Sequence, residues 1–90
     1  MRLKDKVAIV TGGAAGIGKA IAKDFASEGA KVVVADLQEA KAQAVAEEIS
    51  QGGTPAIAVS ADVGLAESVD RILEETLKAF GEVNILVNNA

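Results

Sequence analysis

The most informative stretch of the chain is Thr11-Gly12-Gly13-Ala14-Ala15-Gly16-Ile17-Gly18, between a short β-branched run and an amphipathic helical pattern. A phosphate can reach the backbone N–H groups of a helix N-terminus only where side chains are absent, and the helix dipole favours negative charge there. Gly12 would allow a tight turn, Gly16 the close approach of a phosphate, and Gly18 a close contact of helix and strand. The spacing G-x-x-x-G-x-G differs from the commoner dinucleotide fingerprint, G-x-G-x-x-G.

Four short runs of apolar, largely β-branched residues on either side of this stretch predict strands. Each run is nearly continuous rather than alternating, as expected for parallel strands covered on both faces. Three helical patterns lie between them. The sequence therefore predicts one α/β domain over residues 1–90, a partial Rossmann-type doubly wound parallel sheet of βαβαβαβ form with strand order 3-2-1-4. The runs lie at residues 7–10, 31–35, 56–59 and 83–87.

The three helical patterns each carry an apolar face. Spacings of three and four residues predict helices that pack one side against the sheet. A left-handed glycine often ends a helix, and Gly29, Gly52, Gly53 and Gly81 follow these patterns. The predicted inward residues are Ile17, Ile21 and Phe25 in the first helix, Ala44, Val45 and Ile49 in the second, and Val69, Ile72, Leu73, Leu77 and Phe80 in the third.

The composition excludes several kinds of chemistry. The 90 residues include no Cys and no His, so we expect no zinc or other metal site, no thiolate nucleophile and no Ser-His-Asp triad. A net charge of −4 without a basic stripe makes nucleic acid a poor partner. The apolar runs of about six residues are far below the ~20 that cross a membrane, and the N-terminus lacks a secretory pattern, so the expected location is cytoplasmic.

Asp36 follows the second predicted strand, 18 positions after Gly18. A carboxylate there can accept hydrogen bonds from a ribose 2′-hydroxyl and would repel a 2′-phosphate. Alternatively, Asp36 is the N-cap of the second helix, and both roles can coexist. The glycine stretch by itself could likewise be a plain strand-to-helix turn that needs positive φ.

Three motifs in this order resemble the short-chain dehydrogenase/reductase superfamily, and the resemblance covers the whole chain. Residues 11–18 resemble its T-G-x-x-x-G-x-G cofactor loop, and Asp62-Val63 its adenine-contacting pair. The resemblance implies that the Asp62 carboxylate accepts from the adenine amino group while the Val63 backbone meets the ring. Alternatively, Asp62 only begins the turn into the third helix.

The third motif is Asn88-Asn89-Ala90, which is similar to the start of the family's N-N-A-G segment. The resemblance implies that Asn88 lies beside the cofactor ribose and that Asn89 helps to tie the sheet together. Alternatively, an Asn pair at a strand end only satisfies backbone groups of the loop.

The resemblance also implies NAD as the cofactor in preference to NADP. Relatives that take a 2′-phosphate usually carry Arg or Lys just before the second motif glycine or just after the second strand, where this chain has Ala15, Leu37 and Gln38. The candidate cofactor-binding residues are therefore Gly12, Ala15, Gly16, Ile17, Gly18, Asp36, Leu37, Asp62, Val63 and Asn88.

The family's catalytic Ser and Tyr-x-x-x-Lys lie beyond N-N-A-G, and this chain has no Tyr. The resemblance thus implies the N-terminal NAD-binding half of an oxidoreductase that transfers hydride between a nicotinamide and an alcohol or ketone. No catalytic residue is assigned, and we expect the 90 residues alone to be inactive. One alternative is a non-catalytic α/β fragment or scaffold with weak or no nucleotide binding; another is a site for some other phosphate compound. The strand order leaves the last strand as an edge, which predicts self-association through that edge or through the uncovered sheet face.

Overall fold

Strands and helices alternate along the computed structural model, which describes residues 2–62 and 64–89. The four described strands form one parallel sheet in the order β3-β2-β1-β4, which confirms the predicted order. The strands are β1 (Val7–Thr11), β2 (Lys31–Asp36), β3 (Ala56–Ser60) and β4 (Ile85–Asn88); the helices are α1 (Gly16–Ser27), α2 (Glu39–Gln51) and α3 (Ala66–Phe80).

The two central strands, β1 and β2, are buried on both faces. Their register pairs Val7 with Lys31 and Thr11 with Ala35. All five residues of β1 and the inner four of β2 are buried. Successive side chains of a strand point to opposite faces of the sheet, and helices cover both faces. Continuous apolar runs are therefore buried along their whole length.

The helices cover the two faces unequally. One core contains Val10, Val32 and Val34 together with small and branched residues of α1 and α2. The other contains Ile9, Val33 and residues of β3 packed against Ile72 of α3. Two helices therefore share one face, and α3 lies alone on the other.

The predicted inward face of α1 is wrong at its start. Ile17 is 73% exposed, while Gly18, Ala22 and Ala26 are buried. Ile21 and Phe25 pack against the core but are only partly buried. Small residues form the inward face because α1 lies close to the sheet and to the turn after β1.

The other two helices also differ from their predicted faces. In α2 the inward residues are Ala42, Val45, Ala46 and Ile49, and Ala44 is exposed. In α3 the buried residues are Ile72 and Thr76, whose hydroxyl donates to the Ile72 carbonyl oxygen at 2.7 Å. The remaining predicted positions of α3 are exposed at Val69, Leu73 and Leu77 and half-buried at Phe80.

The entry to β4 and one helix end also differ from prediction. β4 begins at Ile85, and Val83 precedes it, packed against the α3-side core. The intervening Asn84 accepts the Val7 N–H through its Oδ1 at 2.8 Å, which a run of apolar residues does not reveal. Gly52 has a right-handed φ of −76°, whereas Gly53 after it has the positive φ.

Candidate functional site

The candidate residues meet at the carboxyl edge of the parallel sheet. The glycine loop, residues 12–15, follows β1; Asp36 ends β2; Asp62 follows β3; and Asn88 ends β4. The Ala61 N–H donates to the Asp36 carbonyl oxygen at 3.1 Å, which extends the pairing of β3 with β2 to Ala61, the residue before Asp62. In open α/β sheets, ligands bind in the crevice outside this edge.

The glycine loop makes a tight turn and then opens toward solvent. Gly12 and Gly16 have φ of +64° and +58°, a region that side chains disfavour. A Cβ on Gly12 would overlap the Asn89 carbonyl oxygen, so this turn has no room for a side chain. A Cβ on Gly16, in contrast, would meet no described atom within 4 Å. The Gly16 backbone is therefore open to an approaching group.

Gly18 lets the first turn of α1 press against the turn that follows β1. A Cβ there would overlap the Gly12 carbonyl oxygen and lie 2.7 Å from the side-chain nitrogen Nδ2 of Asn89. The sequence predicted a close contact of helix and strand at this glycine. The structure places that contact on the glycine turn and on Asn89 at the end of β4.

The N-terminus of α1 has no side-chain partner for its first N–H groups in the part of the chain that the structure describes. Its N-cap is Ala15, which has no side-chain acceptor, and its first turn contains no acidic residue. The helices α2 and α3 have Glu39 and Glu67 in their first turns. The partial positive charge at the N-terminus of α1 is thus not offset by an acidic side chain in its own first turn. Ala15 and Ile17 are exposed beside it.

The Asp36 carboxylate connects the glycine loop to the start of α2. Its Oδ2 accepts the Ala14 N–H at 3.1 Å, and its Oδ1 accepts the Gln38 N–H at 2.9 Å. The alternative role of Asp36 as N-cap of α2 is wrong, because Gln38 occupies that position. Leu37, next to it, is exposed.

Thr11 is a hydrogen-bonding centre to which the sequence analysis gave no role of its own. It is 6% exposed, and its hydroxyl accepts the Asn89 N–H at 2.9 Å. The same hydroxyl lies 3.1 Å from the Val87 carbonyl oxygen and 3.3 Å from Asn88 Oδ1, and it can donate a hydrogen bond to either oxygen. These contacts join the carboxyl ends of β1 and β4. The signal was present as a hydroxyl residue ending an otherwise apolar strand.

Asp62 forms the turn that leads toward α3. Its Oδ1 accepts the Gly64 N–H at 2.9 Å, and its carbonyl oxygen accepts the Leu65 N–H at 3.0 Å. The turn role named as the alternative is therefore present, and the adenine contact stays a prediction. Val63, its predicted partner, lies outside the described residues, as does Ala90 of the third motif.

Two depressions flank the loop. One of about 340 Å³ lies between α1 and α2 and is lined by Ala15, Gly16, Lys19 and Lys41 among others. A smaller one of about 190 Å³ lies between α3 and β4, and Thr11 is among the residues that line it. Within residues 2–62 and 64–89, no group of acidic side chains lies close enough together to hold a metal ion.

Comparison with known proteins identifies the family. The family model described as short chain dehydrogenase matches residues 6–90. This chain belongs to the short-chain dehydrogenase family. A hydroxysteroid dehydrogenase structure from Escherichia coli superposes with a TM-score of 0.96 at 44% identity, covering 99% of this chain and 38% of that one.

Two curated relatives of the family match along the whole chain. The (2S)-[(R)-hydroxy(phenyl)methyl]succinyl-CoA dehydrogenase subunit BbsD of Thauera aromatica is 41% identical, with 36% of its length covered. The L-rhamnose 1-dehydrogenase (NAD(P)(+)) of Azotobacter vinelandii is 45% identical, with 37% covered. This chain thus spans little more than a third of these short-chain dehydrogenases and corresponds to their N-terminal portion.

Membership confirms the resemblance that the three motifs carried, and with it a family that uses nicotinamide dinucleotides. The preference between NAD and NADP, and the contact of each candidate residue with the cofactor, stay predictions. Within the described stretches, no helix of this short-chain dehydrogenase chain is long and apolar enough to cross a membrane.

Proposed function

We propose that this chain is the NAD-binding portion of a short-chain oxidoreductase, which in complete form transfers hydride between the nicotinamide and an alcohol or ketone. One observation carries the proposal: the N-terminus of α1 is uncapped and opens, past the bare Gly16 backbone, onto the carboxyl edge of the sheet. An anionic diphosphate fits a helix N-terminus that offers free N–H groups and a positive dipole.

Each of the other candidate residues would contact a different group of the cofactor. The first N–H groups of α1, at Gly16, Ile17 and Gly18, would hold the diphosphate. Asp36 would accept from the adenosine ribose hydroxyls, and Asp62 from the adenine. When bound, the nicotinamide supplies the group that accepts or releases hydride.

The same residues favour NAD over NADP. The Asp36 carboxylate would repel a 2′-phosphate, and no cation stands at Ala15, Leu37 or Gln38 to offset that repulsion. Lys19 and Lys41 line the depression between α1 and α2 and are the cations that this depression offers. We therefore propose a preference for NAD rather than an absolute exclusion of NADP.

Calorimetric titration of the chain with NAD and, separately, with NADP tests the proposal. Only part of the dinucleotide site is present, so we expect saturable NAD binding with Kd near 1 mM, about −4 kcal/mol, and weaker NADP binding. Asp36→Ala should remove the preference. Asp24→Ala, which removes an exposed carboxylate near the other end of α1, should keep it. An unchanged preference in Asp36→Ala would show that another residue selects the cofactor.

The two alternatives give different titrations. A folding fragment without a site would bind neither dinucleotide. A site for another phosphate compound would bind adenosine monophosphate or inorganic pyrophosphate at least as tightly as NAD. The additional contacts that only NAD could make would then contribute nothing to its affinity.

We also propose that the chain self-associates through the edge of β4. Leu86 there is 61% exposed, and Ile85–Asn88 contains no charge or proline. The opposite edge strand, β3, follows Pro55, and the Arg71 guanidinium donates to its Ser60 carbonyl oxygen at 2.9 Å. Charges and prolines protect sheet edges from pairing, and β4 lacks both.

Light scattering over a concentration series tests this association. We expect the apparent mass to rise with concentration for the natural chain and to stay monomeric for Leu86→Lys, which places a charge on the edge. A natural chain that stays monomeric at high concentration would rule the association out.

A further inference from the structure

We propose that Asp36 is also a positioning residue, which holds the glycine loop in its binding conformation before any ligand arrives. This role is separate from recognition of a ribose, although it rests on the proposed function in assuming that the loop binds a diphosphate. The Oδ2 of Asp36 accepts the Ala14 N–H at 3.1 Å across 22 positions of sequence.

The carboxylate is itself firmly anchored. Asp36 is the last residue of β2 and pairs in register with Ser60 of β3, and its carbonyl oxygen accepts the Ala61 N–H at 3.1 Å. Its other oxygen accepts the Gln38 N–H at 2.9 Å, which fixes the side-chain torsion. A carboxylate held at the backbone and at one oxygen can direct the second oxygen.

Ala14 is the point at which a restraint on the loop is most effective. It is 5% exposed and packs in the core shared by α1 and α2. It immediately precedes Ala15, the N-cap of α1, so its peptide orientation sets the direction of the N–H groups that follow. The loop's other backbone bond to β2 is at its start, where the Gly12 N–H donates to the Ala35 carbonyl oxygen at 2.8 Å.

A glycine-rich loop gains more from such a restraint than an ordinary turn. Glycine loses the most conformational freedom on ordering, and Gly12, Gly13 and Gly16 surround Ala14. A hydrogen bond to a charged acceptor is stronger than one between neutral groups. The hydrogen bond from Ala14 therefore orders the loop in the ligand-free chain. Less conformational entropy is then lost when a ligand binds, and the affinity is correspondingly higher.

Ribose recognition and loop positioning can share this carboxylate. Two carboxylate oxygens offer about four acceptor sites, and Ala14 and Gln38 use two. The two roles nevertheless predict opposite changes in affinity, on removal of the Asp36 carboxylate, for a ligand that has phosphates and no ribose hydroxyls. If Asp36 acted on phosphates only through its charge, removing that charge would strengthen binding; if it positions the loop, removal weakens binding.

The test uses 2′,3′-dideoxyadenosine diphosphate, which lacks both ribose hydroxyls, beside adenosine diphosphate. Asp36→Ala removes both acceptor oxygens, so the Ala14 N–H loses its side-chain partner. We expect its Kd for the dideoxy probe to rise about two- to tenfold, the size of one lost hydrogen bond. A Kd that is unchanged or lower would overturn the positioning role. Asp24→Ala is the matched control and should leave the Kd unchanged.

Amide hydrogen exchange in the ligand-free chain gives an independent readout. We expect the Ala14 amide to exchange at least about threefold faster in Asp36→Ala, with the β1 amides unchanged, because the lost bond protects one loop amide and not the sheet. Equal exchange in both proteins would also overturn the role. If the natural chain bound neither probe, the proposed function would fail, and the exchange experiment would still decide whether Asp36 orders the loop. Far-UV circular dichroism confirms that the variant is folded.

Discussion

Replacing Gly18 with alanine should destabilise the fold, although alanine is the better helix former. A Cβ at this position would overlap the Gly12 carbonyl oxygen and lie 2.7 Å from the side-chain nitrogen Nδ2 of Asn89. Overpacking costs about 1–3 kcal/mol, and alanine regains about 1 kcal/mol over glycine in a helix. The Gly12 backbone is held by its bond to Ala35 and cannot retreat, so the upper part of the range applies. We expect a net loss of about 1–2 kcal/mol.

Urea unfolding followed by far-UV circular dichroism measures this loss, because the chain has no Trp or Tyr for fluorescence. The midpoint should fall by about 1–2 M for a slope near 1 kcal/mol/M. Gly52→Ala is the matched control: its φ is −76°, and a Cβ there would meet the Ile49 carbonyl oxygen only at 3.4 Å. It should be neutral or slightly stabilising. A Gly18→Ala protein as stable as the natural chain would refute the contact between α1 and the glycine turn.

Three further changes have defined outcomes. Thr11→Val leaves an N–H at the end of β4 unpaired and should cost about 1–3 kcal/mol in urea unfolding, whereas Thr11→Ser should cost less because it keeps the hydroxyl; equal losses would mean that the hydroxyl contributes nothing. Gly16→Ala meets no described atom, so it should lose only about 1–2 kcal/mol through its positive φ, while NAD affinity falls severalfold in calorimetry; unchanged affinity would place the phosphate elsewhere. The hydrogen bond from Lys23 lowers the pKa of Glu48 below its ordinary 4.5. The stability that this ion pair contributes is therefore complete above pH 4.5 and is lost as the pH falls through the lowered pKa of Glu48. In an NMR titration Lys23→Ala should raise the pKa of Glu48, and an unchanged pKa would contradict the ion pair.

The sequence predicted the sheet well because the signal there is strong. The continuous apolar runs of β1 and β2 are typical of strands covered on both faces, and their alternation with helical patterns indicated a parallel sheet. The order β3-β2-β1-β4 was predicted by assigning these elements to a doubly wound sheet, and the structure has that order.

The faces of the helices were harder to predict because two faces competed. In α1, Ile17 and Ile21 form one face, and Gly18 and Ala22 form a neighbouring face at the same spacing. Hydrophobicity favours the first, but close packing on the glycine turn selects the small residues. Thr76 is buried for a related reason, since its hydroxyl is satisfied within its own helix.

The candidate site was predicted as side chains but not as a network. The sequence named Asp36 but not its bond to Ala14, because the partner is a backbone N–H that any residue type would supply. The same holds for Thr11, whose role depends on β4 lying beside β1 with its Asn89 N–H within reach. Such contacts require the strand register, which is not written in local sequence.

An NMR titration of the isotope-labelled chain with NAD addresses the binding site most directly. Saturable shifts should concentrate at the amides of Gly16, Ile17 and Gly18, at the N-terminus of α1. Shifts that are absent, or that concentrate instead in the groove of about 420 Å³ around Arg2 and Phe25, would contradict a dinucleotide site at the carboxyl edge of the sheet.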